Sequence, residues 1–296
     1  MELRHLRGFV AVAEELHFAR AAERLHIEQS PLSRTIKELE SDIGAQLFDR
    51  NSRGTRLTRP GQVLAEAAQR IFQAVEQARC NVQAAAAGYR GSLRIALSDG
   101  VLPQRLTAVL ARCREEEPDV EIRLFEVSLS QQLKGLREDL FDAGFSCSKD
   151  VGEGVTAQAV WQTPLTVAVP ARHPLLAFKR IPLAEALNYP LVLFHPQTHT
   201  GLHQQIDSLL RQVPKQATIA EQVSSHEVML TLVAAGYGLG LTCEAHMALC
   251  QSAEVVTRPL AGDPPLLTSY LLLSSNAPGE QLKRFISRAT DIDLVV

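Results

Sequence analysis

The chain has no overall excess of positive charge. Its 30 Lys and Arg stand against 33 Asp and Glu, for a formal net charge of −3, so general basicity cannot make it a nonspecific nucleic-acid coat. It has little cysteine. The five, at positions 80, 113, 147, 243 and 250, are odd in number and show no repeated spacing, which excludes a disulfide framework and fits a reducing cytoplasm. Long hydrophobic runs are missing as well. The longest, near Val228 to Leu241, is too short and too rich in glycine to span a bilayer. The opening residues are charged, so no signal peptide is read there. No internal repeat and no low-complexity segment is present. The sequence also lacks a Gly-x-Ser-x-Gly elbow, a phosphate-binding loop with a following lysine, and the Cys-x-x-Cys and His-Glu-x-x-His metal motifs. The glycine-rich run Gly236 to Gly240 follows a helix and enters a strand, which is the reverse of the dinucleotide fingerprint. Together these absences argue against an enzyme and imply no cofactor.

What is present begins at residue 18. Phe18 to Leu25 reads as a short helix, His26-Ile27-Glu28 as a tight turn, and Gln29 to Glu40 as a second helix. Ser30 is the expected N-cap, with Pro31 at the first helical position, where its missing N–H is harmless. Leu32, Ile36 and Leu39 share one stripe at i, i+4 and i+7. Ser33, Arg34 and Lys37 point away from it, joined by Gln29 at the helix entrance. This is the pattern of a helix presented to a DNA major groove. Arg and Gln can make paired hydrogen bonds to guanine and adenine edges. We therefore expect base contacts from Gln29, Ser33 and Arg34, and a base or phosphate contact from Lys37.

Phe48 to Arg59 reads as a hairpin turning at Asn51 to Gly54, with four arginines and one acid. A basic hairpin beside a recognition helix is a wing. Arg53 suits a narrow minor groove, and Arg50, Arg56 and Arg20 suit phosphates. Residues 1–60 hold ten Lys/Arg against nine Asp/Glu, so the positive charge is local, as a specific binder requires.

Here the chain resembles the LysR-type transcriptional regulators. The resemblance rests on Met1 to Leu6, Phe18 to Ala22, Ser30 to Ile36, Leu47 to Arg50 and Leu57-Thr58. It continues more weakly through Phe141 to Phe145 and Val233 to Gly238. The opening looks most like the branch controlling catabolism of aromatic compounds. One departure is Arg59-Pro60-Gly61, where the family more often has an acid before the glycine. The resemblance implies a cytoplasmic regulator that binds double-stranded DNA at an interrupted inverted repeat, with RNA polymerase as a further partner and no membrane. It also implies a small-molecule effector, expected to be an organic acid, that alters transcription of target genes.

The remaining sequence divides accordingly. We expect a winged helix-turn-helix domain over 1–60, a linker helix over 61–90 and an α/β effector domain over 91–296. Leu64, Ile71, Ala78 and Ala85 recur every seven residues, with Ala68, Val75 and Val82 on a second track. Such a seam usually pairs with another copy of itself. In the family this helix makes the dimer, and a homodimer or homotetramer is implied. From Ser92, short strands (93–97, 120–127, 142–145, 165–169, 191–194, 239–242) alternate with helices (103–117, 201–211, 225–235), which argues a mostly parallel sheet with helices on both faces. The family builds this region as two lobes like those of periplasmic solute-binding proteins. We place lobe one at about 91–161 and 266–296, lobe two at about 162–265, and the crossings near Trp161 and Leu266.

In open α/β sheets, ligands bind beyond the carboxyl ends of the strands. Ser98-Asp99-Gly100 ends the first strand. Ser128 stands three before Gln131, and Ser224 three before Glu227, both capping-box spacings. Each serine has a plain role as a helix cap; by resemblance the cluster around Ser98, Ser128 and Ser224 also touches the effector. Leu129, Cys147, His195, Thr198, Ser225 and Thr242 complete the expected lining. Muconate-responsive relatives place Ser, Thr and Arg where this chain has Gly100, Leu129 and Cys147. Losing the Arg removes the strongest paired partner of a dicarboxylate, so a less charged or differently shaped ligand is expected. His195, His199 and His203 repeat at four-residue spacing and would share a helical face able to hold zinc or copper, but Pro196 and Gly201 argue against a continuous helix there. We expect no metal.

Overall fold

A computed structural model describes residues 1–51, 54–86, 88–99, 102–247 and 253–291. The chain divides into two units, residues 1–83 and 84–296. In the first, α1 (Leu3–Glu15), α2 (Phe18–Arg24) and α3 (Gln29–Ile43) are followed by a two-stranded hairpin, β1 (Phe48–Asn51) and β2 (Gly54–Leu57), and by α4 (Arg59–Ala86). The stripe Leu32, Ile36 and Leu39 is buried with Phe9, Phe18, Ala21 and Phe48. The Phe48 ring sits between Phe9 and Phe18, with centroids 5.3 and 5.8 Å away. This packing ties the hairpin to the helices.

Two local details differ from the sequence reading. Helix α3 starts one residue before Ser30, with Glu28 as its N-cap and no side-chain cap bond. Pro31 is therefore the third helical residue, still within the turn whose N–H groups have no intrahelical partner. Helix α4 starts at Arg59 rather than Gly61. The Thr58 hydroxyl accepts from the Gly61 amide at 3.1 Å and donates to the Gln46 carbonyl at 2.7 Å. Gly61 has to lack a side chain, because a Cβ there would lie 2.1 Å from the Leu47 carbonyl oxygen. Along α4, Leu64, Ala68 and Ile71 pack into the first unit's own core, whereas Val75 and Val82 are exposed.

The second unit is built on β3 (Gly91–Leu97), α5 (Pro103–Glu116), β4 (Val120–Glu126), α6 (Leu129–Arg137), β5 (Ala143–Ser146), β6 (Val155–Pro170), α7 (Leu183–Ala186), β7 (Leu191–Phe194), α8 (Thr200–Leu210), β8 (Ile219–Val223), α9 (His226–Ala234), β9 (Leu239–Cys243), α10 (Glu244–Met247), β10 (Val255–Pro259), β11 (Leu266–Ser274) and α11 (Glu280–Thr290). Among the described residues nine strands run in the order β4-β3-β5-β11-β6-β9-β7-β8, with β10 also on β6. The flanks, β4-β3-β5 and β9-β7-β8, are parallel, but β11 and β6 are antiparallel to their neighbours. The sheet is thus mixed rather than mostly parallel, because the chain passes between its two halves twice and in opposite directions.

Those passages are β6 and β11, and they join where the ladder is irregular. Ser269 pairs Trp161 and Tyr270 pairs Ala159, which leaves Val160 as an extra residue. A bulge of this kind bends and twists the strand locally. Beside it, Trp161 is fully buried, stacked on Phe145 with centroids 4.7 Å apart, and its indole N–H donates to the Ala289 carbonyl at 3.1 Å. The first half of β6 and the pairing partners β5 and β11 form one lobe. The second half, with β9 and β10, forms the other.

Candidate nucleic-acid interface and interlobe cleft

Helix α3 exposes Gln29, Arg34 and Lys37, with Ser33 half-buried beside them. Its acids are drawn elsewhere. Glu40 accepts the Leu47 and Phe48 amides at 2.9 and 3.2 Å, fixing the wing's first strand to the helix, and Glu38 faces the His5 ring at 3.9 Å. The outward cations therefore keep their charge available. In the turn before α3, His26 takes the left-handed conformation (φ 54°) and Ile27 N–H bonds back to the Ala22 carbonyl at 3.0 Å. Arg20 is braced by Glu15, through its carbonyl at 2.6 Å and its carboxylate at 3.5 Å. Arg56 is exposed on β2, where Asp49 is its ladder partner. Arg50 belongs to β1, and Arg53 lies outside the described residues.

Between the lobes the central feature is Asp99, which is 2 % exposed. One carboxylate oxygen accepts from Ser146 Oγ at 2.8 Å, Ser98 Oγ at 3.1 Å and the Cys147 amide at 3.4 Å. The other accepts from the Leu202 amide at 2.8 Å. Leu202 is the third residue of α8, whose N-cap His199 provides no side-chain cap. Asp99, in the loop after β3, therefore caps a helix of the opposite lobe. The backbones touch directly at this junction. A Cβ on Gly201 would lie 2.2 Å from the Ser148 nitrogen and 2.5 Å from the Cys147 carbonyl carbon. Gln205 reinforces it, donating to the Cys147 carbonyl at 2.5 Å and pairing both ways with Thr268 of β11 at 2.8 Å.

Beside this junction opens a cavity of about 490 Å³, lined by Cys147, Lys149 and Asp150 from the loop after β5, by Gly201, Gln204, Gln205, Ser208 and Leu209 along α8 with Gln212 just beyond its end, and by Pro265, Leu266 and Tyr270. Lys149 and Asp150 are exposed, and neither is ion-paired among the described residues. Of the expected lining, Cys147 reaches this cavity, and Ser98 and Asp99 form the junction next to it. Ser128 caps α6 in a reciprocal box with Gln131, and Leu129 packs into the core of its own lobe. The cap of α9 is Ser225, accepting from Val228 N–H at 3.3 Å, rather than Ser224. His195 and Thr198 shape the turn before α8, where the Thr198 hydroxyl donates to the His195 carbonyl at 3.3 Å. Gly100 lies outside the described residues. Sequence reading missed the outward face of α8 and the Lys149-Asp150 pair. The rule that ligands gather beyond strand carboxyl ends led to Cys147, and three more residues along the same loop would have reached both charges.

Thr242 and Cys147 also border a second, small void, where they meet Cys243, His226 and His246. Cys243 Sγ lies 3.0 Å from His246 Nδ1, and the His226 and His246 rings stack with centroids 4.0 Å apart. Helix α8 begins after His199, so the three histidines of the 195–203 repeat do not share one helical face. His199 lies against Phe194, and a ring nitrogen of His203 meets the Phe194 carbonyl at 3.0 Å. Among the described residues, no three His, Cys, Asp or Glu are grouped to hold a metal.

Burial, helped by the neighbouring His246 and His199, pushes the His226 imidazole from its ordinary value near 6.5 down to about 3. The folded protein thus resists protonating a group that the unfolded chain protonates readily. Stability is complete above pH 6.5 and falls as pH drops from there toward 3. By pH 5 the loss from His226 alone is about 2 kcal/mol, and burial of His199 adds a loss of the same sign. Thermal midpoints between pH 7 and 5 should fall less steeply in His226→Gln than in the parent; parallel slopes would refute this.

Residues 3–62 match the model of the bacterial regulatory helix-turn-helix protein of the lysR family, and residues 86–291 match the LysR substrate binding domain. The chain is 35 % identical over 273 residues to an uncharacterized HTH-type transcriptional regulator, YnfL, of Escherichia coli K12, covering 92 % of each. It is 31 % identical to the Hca operon transcriptional activator HcaR of the same organism, over 97 % of this chain and 96 % of the relative. Among solved structures, full-length CbnR complexed with its target DNA matches with a TM-score of 0.76 and 25 % identity, covering 98 % of this chain and 99 % of that one.

Proposed function

This chain belongs to the LysR family of transcriptional regulators, DNA-binding proteins with an effector-binding domain and not enzymes, and from that premise we propose its contacts, its assembly and the class of its effector. Residues 1–60 read DNA, 61–90 link and dimerise, and 91–296 sense the effector. Gln29, Ser33 and Arg34 contact base edges at an interrupted inverted repeat, and Lys37 a base or phosphate. Arg53 enters the minor groove, while Arg50, Arg56 and the Glu15-braced Arg20 hold phosphates. The exposed Val75 and Val82 of α4 support pairing with a second copy, and a dimer of such dimers is the tetramer. The protein works in the cytoplasm, where DNA and RNA polymerase are its partners.

The observation that carries this reading is the division of α3 into a buried apolar stripe and an outward face whose Arg34 and Lys37 have no acid partner among the described residues. Arg34→Ala should weaken binding to the cognate repeat by about 1–3 kcal/mol and relax preference at one base position. Fluorescence anisotropy on a set of single-base variants tests this. A uniform loss over all sequences with a shallower salt dependence would make Arg34 a phosphate contact instead.

The effector is a small organic acid held in the cavity beside α8, whose volume falls in the range of small-molecule pockets. Among the described residues Lys149 is the one cation lining it, and the Gln204, Ser208 and Gln212 side chains provide uncharged hydrogen-bonding groups. A thermal-shift screen of the full chain against organic acids, amino acids and sugar phosphates should yield an acid whose stabilisation is lost in Lys149→Gln. Stabilisation only by ligands without an acid group would remove this assignment.

A further inference from the structure

We propose that Asp99 is a resident carboxylate that fills the anion seat at the start of α8, so that an effector entering between the lobes places no carboxylate there. The inference rests on the effector reading above and narrows where an acid can bind. A helix start offers unsatisfied amides and a positive dipole end, a natural place for an anion. Here that place is taken from within the chain. The Asp99 carboxylate accepts the Leu202 amide at 2.8 Å while Ser146, Ser98 and the Cys147 amide hold its other oxygen. Three features make it a built occupant and not an incidental contact. The helix has no side-chain cap of its own. The aspartate is buried, and its donors come from both lobes. Gly201, with no room for a Cβ, brings the helix start hard against the loop that carries the Cys147 amide, directly after Ser146.

The consequence is a rule of specificity. A ligand carboxylate aimed at α8 would have to displace a carboxylate that already has four hydrogen-bond donors and is covalently part of the protein. The neighbouring cavity is left for it, where Lys149 is a cation and the glutamine face of α8 is neutral. An acid effector is therefore held by Lys149, with its uncharged part along α8. Asp99 determines specificity by occupying the competing position.

The test is chemical rescue in the full-length chain at constant ionic strength and pH 7. Asp99→Gly empties the seat and should lower the melting temperature. Sodium acetate or formate at about 100 mM should then raise it by about 3–5 °C relative to chloride, corresponding to a roughly tenfold gain in the folded-to-unfolded ratio. The parent should show no difference between acetate and chloride of that size. Neither should Asp99→Asn, whose side chain still fills the seat. If Asp99→Gly does not fold, Asp99→Ser with formate replaces it, with the same expectation. Equal acetate responses in the parent and the emptied variant, or no rescue in any emptied variant, would overturn the proposal. The effector reading fails separately. If no organic acid stabilises the parent while acetate rescues Asp99→Gly, Asp99 keeps its role and the Lys149 cavity loses its ligand. An acid bound through Lys149 with no rescue leaves the cavity its ligand and removes the role of Asp99.

Discussion

Trp161→Ala is expected to remove about 3–5 kcal/mol of stability from the second unit, the usual range for deleting a fully buried indole. Trp161 carries more than its own volume. It stacks on Phe145 of one lobe, and its N–H holds the Ala289 carbonyl near the end of α11, 128 residues away. It also lies beside the bulge through which β6 passes from lobe to lobe. The void left by alanine would be walled by strands on one side and by α11 on the other, so little can collapse into it. Trp161→Phe keeps most of the stacking and loses the hydrogen bond, and should cost about 1–2 kcal/mol. Urea unfolding of the full chain, followed by a probe of the second unit, separates the two variants. A Trp161→Ala loss under about 1 kcal/mol would mean that this junction is not a rigid part of the unit.

Gly201→Ala is expected to cost about 3 kcal/mol and to separate the lobes at α8. Two effects oppose each other. Alanine is a better helix former than glycine by about 1 kcal/mol, and the backbone at 201 is not in the left-handed region. Against this, the added methyl would meet the Ser148 nitrogen at 2.2 Å and the Cys147 carbonyl carbon at 2.5 Å. Both are main-chain atoms and cannot rotate aside, so the overpacking cost sits at the upper end of its usual range. The first turn of α8 must back away, and the 2.8 Å bond from Leu202 to Asp99 lengthens with it. The decisive readout is a lower melting temperature together with faster hydrogen exchange at the Leu202 amide. A stabilised Gly201→Ala, as helix propensity alone would give, would show that the lobes part easily at this junction.

The DNA-reading unit was legible in the sequence because its signals are local. Stripe, turn and hairpin lie close together in the chain and follow simple periodicities, and the side chains on the solvent face follow from those on the core face. The error at its start, Ser30 for Glu28 as the N-cap, arose because every residue from 28 to 31 suits a first turn. The second unit was legible as strands and helices but less so in direction. Strands Leu93 to Leu97 and Leu191 to Phe194 are apolar runs that declare themselves. The outer half of β6, Ala157-Gln158-Ala159, and the edge strand β8, Ile219-Ala220-Glu221, mix small and polar residues and are absent from the expected strands. The effector site was the least legible part. Ser128 and Ser224 have sequence signatures, and those signatures report helix capping, at Ser128 correctly and at Ser224 one residue before the actual cap, Ser225. The feature that most shapes the cleft, a carboxylate at position 99 capping a helix that starts at 200, has no local pattern at all, because it joins residues 103 apart.

The lateness of β11 in the chain has a consequence during synthesis. Lobe two is nearly contiguous, so its strands can pair soon after they emerge. Lobe one cannot finish. β5 and the outer half of β6 wait with open edges until Leu266–Ser274 arrives to lie between them, and Trp161 waits longer still for Ala289. Unpaired edges in a half-made chain are templates for wrong partners. The nascent protein is therefore most vulnerable after its second lobe is already folded, and a chaperone that shields it has its longest task at β5 and β6.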